Sequence, residues 1–576
     1  MAVINEKDRE PIRRLKIEAS TIFYTLLLAV LGVLVIYPLA LLVINSFVIT
    51  LPNGQERIGL GNWVMAWSQP GIVRALVNTL NRTVVVMLIT FPISILFAWL
   101  LTRTDIPGRA FLDFFMWVAF FLPSLPVLMG WILLMDPDYG LCNQVIAGLF
   151  GLKKGPLNIY TFWGVVWAHV VTRGVAAKYI FLSAAFRNLD SSLEEASRIA
   201  GRNQLGTLLR IIVPIMTPAI LITLILSVVH SLQSFEIERV LGPPINFYVY
   251  STKVYQLIQE EKAQYGAATV MSIAVLLAML PFILWQQYLN AKRSYTTVTS
   301  HFKATVTRLG IMRWPAFIFV CGFCLTVTVV PITFMIMGSF MNLFGFFNIE
   351  QVWTLDHWRR GLTDPILIKS LLNTIKLAGS ACLLGMLWYA ILAYVSVRSK
   401  YRARGVIDFF TWLPAVVPGI ILGLGLLWMF LGTPFFRPLY GTIYILIIAV
   451  LIGSTTTGVQ LIKSNMVQLG NELEEASAVA GGSLPYTFRR IIMPILAPAL
   501  LSVGTLTFIH AAKDVATIAM LVTGENRPLA MLQLDYMVDG NYESAAIAGS
   551  FIILLTIGVA GLAKLVGKRV GIHIQS

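Results

Sequence analysis

The chain has 576 residues, of which 57% are hydrophobic and only 12% charged, with a formal net charge of +15. A soluble domain usually holds about 25% charged residues, and here the deficit runs along the whole length. That excludes a water-soluble globular enzyme, a disordered chain and a collagen-like fibre, and leaves an all-α polytopic membrane protein.

A helix needs about 20 mostly apolar residues to cross a bilayer. After a polar, basic segment at 1–20, apolar runs fall at 21–48, 83–102, 111–134, 161–186, 214–232 and 267–289. A basic stretch, 290–313, reads as a linker. A second set follows at 314–340, 375–397, 406–431, 442–462, 495–521 and 546–563, before the tail 564–576. About twelve transmembrane helices are therefore expected, as two six-helix domains over 21–289 and 314–563. The first run, about 28 residues long, exceeds the apolar core of a cleavable signal peptide. Prolines in Leu122-Pro123-Ser124-Leu125-Pro126 and in Leu413-Pro414 to Pro418-Gly419 should kink the third and ninth helices. Such kinks either line a cavity or serve packing alone.

Alternate loops concentrate Lys and Arg, among them Arg13, Arg14, Arg103, Arg109, Arg398, Arg402 and Arg404. The positive-inside rule then puts both termini in the cytoplasm, and makes the surplus an orientation signal rather than a nucleic-acid surface. Four cysteines exclude a disulfide scaffold. Cys321-Gly322-Phe323-Cys324 has redox or metal spacing but lies inside an apolar run, so it is read as structural. The sequence has no metal cluster, no catalytic triad and no G-x-x-x-x-G-K-[ST] phosphate loop. No cofactor and no enzymatic activity are expected.

The chain repeats itself. Glu195, Ala196, Ser197, Gly201, Ile211, Pro214 and Pro218 recur at Glu475, Ala476, Ser477, Gly481, Ile491, Pro494 and Pro498, each pair 280 positions apart. His230 and His510 share that offset. Asn78-Thr79 recurs as Asn373-Thr374 at 295 and Leu122-Pro123 as Leu413-Pro414 at 291, so the first half holds extra residues near 135–160. Six spans per half make the repeat parallel, with an axis along the membrane normal.

The repeated segment falls between the fourth and fifth spans of each half, on the cytoplasmic side. Asp190, Ser191 and Ser192 before Glu194 and Glu195 form an N-cap cluster with capping-box spacing, and Asn471 stands at the matching point before Glu474 and Glu475. Each short helix starts with carboxylates at its positive end. Gly201 and Gly481 then allow a turn or the close approach of a partner. A loop that merely connects spans needs no such match; one that docks twice onto equivalent partner surfaces does.

Glu195-Ala196-Ser197-x3-Gly201-x9-Ile211-x-Val213-Pro214 and Glu475-Ala476-Ser477-x3-Gly481-x9-Ile491-x-Met493-Pro494 resemble E-A-A-x3-G-x9-I-x-L-P. That is the signature of membrane subunits of binding-protein-dependent ABC importers. Serine replaces the second alanine in both copies. Two such units in one chain resemble the fused permeases of the iron(III)-type branch. The resemblance implies a type I importer fold in a bacterial inner membrane, lipid around it, and coupling helices seated on two ATP-binding subunits. It also implies a periplasmic solute-binding protein that delivers the cargo. Iron(III) is the first expectation; thiamine, phosphonate, polyamine and sugar phosphate are alternatives, and a secondary transporter with two six-helix halves is the alternative class.

Ionisable groups within spans are functional candidates. Arg173 and Lys178 lie in the fourth span, and Glu236, Lys513 and Asp514 near the outer ends of the fifth and eleventh, with His230 and His510 in those same two helices. One reading has these two helices line the pathway, with Glu236 and Asp514 facing a cationic solute. The other has Lys513 and Asp514 neutralise each other locally and the histidines bond between helices.

Overall fold

The computed structural model describes residues 10–50, 55–187, 189, 196–197, 199–292, 306–399 and 401–569. Among them, eight helices are long and apolar enough to cross a membrane: Thr21–Phe47, Ile72–Arg103, Phe162–Arg187, Leu208–Leu241, Gly310–Ser339, Pro365–Arg398, Ile443–Met466 and Tyr542–Gly567. Three bent pairs raise the number to eleven if each is one span: Arg109–Phe121 with Ser124–Met135, Arg404–Ala415 with Gly419–Gly432, and Leu484–Ile495 with Ala497–Lys513. The twelfth expected segment, 267–289, lies in the helix Tyr265–Lys292.

Two of the breaks sit at the prolines marked in the sequence, with bends of 100° and 114°. Proline's ring disfavours helical angles at the preceding residue. Leu122 accordingly takes ψ 139°, and Pro123 continues extended at ψ 141° before the next helix starts at Ser124. The third bend, 78°, falls at Leu496, between Pro494 and Pro498. In the equivalent part of the first repeat, Leu208–Leu241 runs on.

Side-chain distribution is inverted relative to a soluble protein. On the helix Ile72–Arg103, Leu80, Val84 and Leu88 are exposed, whereas Arg82, Thr83, Thr90 and Ser94 are buried. Lipid leaves the apolar face no reason to hide, while each buried polar group needs a partner. Thr90 and Ser94 donate to carbonyls one turn back, and Ser94 also to the Val175 carbonyl of a neighbouring helix.

The described residues form two compact units that are not collinear with the repeats. One gathers the first helix, Glu10–Phe47, with Thr374–Asn526 and the chain from Val559; the other holds Gly61–Asn373 with Arg527–Gly558. Each unit therefore joins the body of one repeat to the first helix of the other. The two joins use the same device. In one unit a Cβ on Gly425 would stand 3.0 Å from the Pro38 carbonyl oxygen; in the other, one on Gly130 would stand 2.0 Å from that of Pro331. Gly130 and Gly425 are 295 positions apart, and only glycine lets the helices cross that closely.

Candidate functional site

The repeated loop is built the same way twice. In the second repeat the helix Glu472–Val479 carries Glu474, Glu475, Ala476 and Ser477, and the chain turns at Gly481, where φ is 80°. In the first, Glu194 and Glu195 lie outside the described residues, as do Asp190, Ser191 and Ser192. Ala196 and Ser197 are helical, and the turn falls at Gly201, φ 75°. A residue with a Cβ is strained by about 1–2 kcal/mol at such angles. A Cβ on either glycine would meet nothing within 4 Å, so the requirement is the backbone's alone and the side of the turn is open.

Behind each turn, two hydroxyls close the loop. Ser197 Oγ lies 2.8 Å from Thr207 Oγ1, and Ser477 Oγ lies 2.7 Å from Thr487 Oγ1. The threonines donate in turn to the carbonyls of Asn203 and Ser483, each at 3.1 Å. The N–H groups of Arg202 and Gly482 donate to the carbonyls of Ser197 and Ser477. Both serines are buried, whereas Ala196, Glu475 and Ala476 beside them are exposed. The serines that depart from the E-A-A signature are thus the ones that make the clip. Past each clip the helix widens to π geometry, at Leu208–Ile212 and Phe488–Ile492, again 280 positions apart.

An arginine ties each loop to a span. Arg398, at the end of Pro365–Arg398, donates to the carbonyls of Met466 and Leu469, and its Nε lies 3.2 Å from Glu474 Oε1. Tyr394 donates to the other Glu474 oxygen at 3.2 Å. In the first repeat Arg103 donates to the Leu189 carbonyl at 3.0 Å. Asn471 occupies the N-cap position, but its side chain makes no capping bond. Helix entry there rests on Glu472, Glu474 and Glu475 in the first turn, where carboxylates suit the positive helix end. Ion pairs Asp113–Arg187, 3.0 Å, and Asp408–Lys463, 2.6 Å, brace the third segment of each repeat against the fourth span.

At the far ends of the spans the Asn-Thr pairs also act alike. Asn78 Nδ2 donates to the Tyr248 carbonyl at 3.0 Å and Asn373 Nδ2 to the Arg527 carbonyl at 3.2 Å. The candidate pathway residues are less symmetric. His230 is exposed, its Nδ1 3.0 Å from the Leu226 carbonyl of its own helix; His510 Nδ1 stands 3.5 Å from Ser454 Oγ on a neighbouring helix. Glu236 accepts from the Ser124 hydroxyl at 2.8 Å. Lys513 ends the helix Ala497–Lys513, and Asp514 Oδ1 accepts the Thr517 N–H at 3.2 Å.

Several residues escaped the reading of the sequence. Thr207 and Thr487 obey the 280 offset, and Arg103 with Arg398 and Asp113 with Asp408 the 295 offset, so repeat matching could have found them. A buried group formed by Arg82, His169 and Glu238 has no such signal, because it occurs in one repeat.

Two membrane-embedded repeats, each presenting one polar, glycine-turned loop of identical build, define a two-fold repeated permease. The chain belongs to the family of binding-protein-dependent transport system inner membrane components, whose model matches residues 90–295 and 381–572. It is therefore a multi-pass inner-membrane permease of an ABC importer, a transport protein by family. It is 27% identical over 531 residues to the ferric transport system permease protein FbpB of Actinobacillus pleuropneumoniae, covering 91% of this chain and 75% of that one. It is 21% identical to the Fe(3+)-transport system permease protein FbpB 2 of Haemophilus influenzae, covering 92% and 96%. A solved bacterial alginate ABC transporter, in complex with its pentasaccharide-bound periplasmic protein, matches at TM-score 0.36 and 21% identity over 42% of this chain and 85% of that one.

Proposed function

We propose that the chain forms the membrane pathway of an iron(III) importer, with both termini cytoplasmic and its two clipped loops seated on two separate ATP-binding subunits. A periplasmic binding protein delivers the cargo. The observation that carries the coupling role is the pair of matched loops, Ser197–Thr207 around Gly201 and Ser477–Thr487 around Gly481. The cargo assignment rests on the two ferric relatives.

A loop that transmits motion must not deform under load. The hydroxyl clip fixes the angle between the loop's two arms, and the arginine at the end of the second span fixes its root. Force applied to the exposed helix Glu472–Val479 then passes through Arg398 and Phe488–Ile492 into the spans instead of being lost in the loop. The open side of each glycine turn leaves room for a partner's groove.

Reconstitution in liposomes tests this reading. The purified chain should bind two copies of its ATPase subunit, hydrolyse no ATP alone, and take up radiolabelled iron(III) only with the loaded binding protein present. Robust hydrolysis by the isolated chain would overturn the subunit assignment. Uptake of thiamine, phosphonate, polyamine or sugar phosphate in place of iron would overturn the cargo.

A further inference from the structure

The first repeat holds a buried charge cluster at positions whose matches in the second repeat are uncharged. Glu238 lies on the short helix Glu236–Leu241, which ends the apolar stretch Leu208–Leu241. Its Oε1 stands 3.2 Å from Arg82 Nε, on the helix Ile72–Arg103, and 2.7 Å from His169 Nε2, at the end of the helix Phe162–His169. Its Oε2 accepts from the Ser234 hydroxyl at 2.7 Å. Arg82 Nη1 donates to the carbonyl and hydroxyl of Ser231, at 2.8 and 3.1 Å. The side chains of Arg82 and Glu238 are fully buried, and that of His169 is 12% exposed.

The matching positions of the second repeat carry no charge. Leu377 stands 295 positions after Arg82, and Ala449 and Ile518 stand 280 after His169 and Glu238; all three are buried. Between Asp514 and Asn526, Asp514 Oδ1 accepts the Thr517 N–H, Thr523 N–H donates to Asn526 Oδ1, and Asn526 Nδ2 donates to the Thr442 carbonyl.

Resting on the importer reading above, we infer that Arg82, Glu238 and His169 are positioning residues for transport: a lock that makes the first repeat's outer loop one body with its second and fourth spans. Separating buried opposite charges strands each in a medium that cannot solvate it. The helix Glu236–Leu241 therefore stays with Arg82 and His169 during the cycle. The lock also holds Glu236, two residues away, against Ser124. Cargo release is tied to the ATP cycle because one wall stays fixed.

The test uses the complete transporter in nanodiscs, with its ATPase subunits and the iron(III)-loaded or empty binding protein. Arg82→Leu with Glu238→Ile copies the second repeat and leaves no stranded charge, which such swaps usually tolerate. It should assemble normally, yet the ratio of stimulated to basal ATP hydrolysis should fall about fivefold or more, the scale of a typical coupling energy. A wild-type ratio in this double variant overturns the inference. If the double variant fails to assemble, His169→Leu decides, since it removes only the partly exposed corner. His169→Gln, which keeps a donor, should retain the ratio that His169→Leu loses; equal, wild-type ratios in both overturn the lock. Absence of stimulation in the wild-type complex would instead count against the importer reading itself.

Discussion

The Ser477 hydroxyl lies 2.7 Å from the Thr487 hydroxyl, across the left-handed turn at Gly481. The bond joins the helix that meets the partner to the helix that enters the membrane, and Ser197 with Thr207 repeats it. Each such bond contributes about 0.5–1.5 kcal/mol. Ser197→Ala with Ser477→Ala should leave membrane levels unchanged and weaken ATPase-subunit binding about fivefold, since alanine fits the space but frees the angle. Affinity measured by titration of the ATPase subunit onto nanodiscs checks this; unchanged affinity would show that the clip does not shape the docking surface.

Gly201 and Gly481 have positive φ and open surroundings. Alanine should therefore cost about 1–2 kcal/mol of backbone strain with no clash in the isolated chain. Aspartate at the same positions adds a charge to the docking face. Thermal stability of the purified chain should be close for Gly481→Ala and Gly481→Asp, while iron uptake should be lost far more completely with Asp. Equal loss in both would place the glycine's importance in the turn alone.

Arg398 serves two carbonyls and Glu474 at once. Arg398→Leu removes every one of those partners, at about 1–3 kcal/mol for each group left unsatisfied. Glu474→Gln removes only a charge from a half-buried pair. The arginine variant should expose the Leu469 region to limited proteolysis and the glutamine variant should not. Similar digestion patterns would mean that the loop's root is held by something else.

Glu236 is bonded to Ser124, and Asp514 closes a turn at Thr517. If both carboxylates meet a cationic solute, Glu236→Gln with Asp514→Asn should reduce initial uptake about tenfold, because the amides keep the hydrogen bonds and lose the charge. Complex assembly and stimulated ATP hydrolysis should persist. Uptake at the wild-type rate would assign both groups to the local structure of the turns.

What the sequence disclosed depended on how local the information was. The spans followed from apolar runs, and the sharp breaks at Leu122-Pro123 and Pro418-Gly419 from proline chemistry within a few residues. The coupling loops were visible because Gly, Ser and Glu recur at one spacing, and Thr207 and Thr487 lay within reach of the same comparison. Two things could not be read this way. Arg82 and Glu238 meet only after the helices between them have been placed, and neither position has a charged twin. The exchange of first helices was equally hidden, since Pro38 and Pro331 look like ordinary prolines in apolar runs until a glycine of the other repeat is set against them.

That exchange has a consequence for how the protein is made. Ribosomes add about 5–20 residues per second, and the first helix meets Gly425 only after the whole first repeat and part of the second have been synthesised. It must therefore wait in the bilayer for roughly 20–75 s with its Pro38 face against lipid. The uncharged stretch from Thr21 to Phe47 suits that delay, because an all-apolar helix is stable in hydrocarbon without a protein neighbour. The helix ending at Ser339 has no such wait, for Gly130 is already in place when it emerges. Chains stalled before Gly425 thus strand the first helix, and its Pro38 face is a seam by which membrane quality control can recognise an unfinished copy.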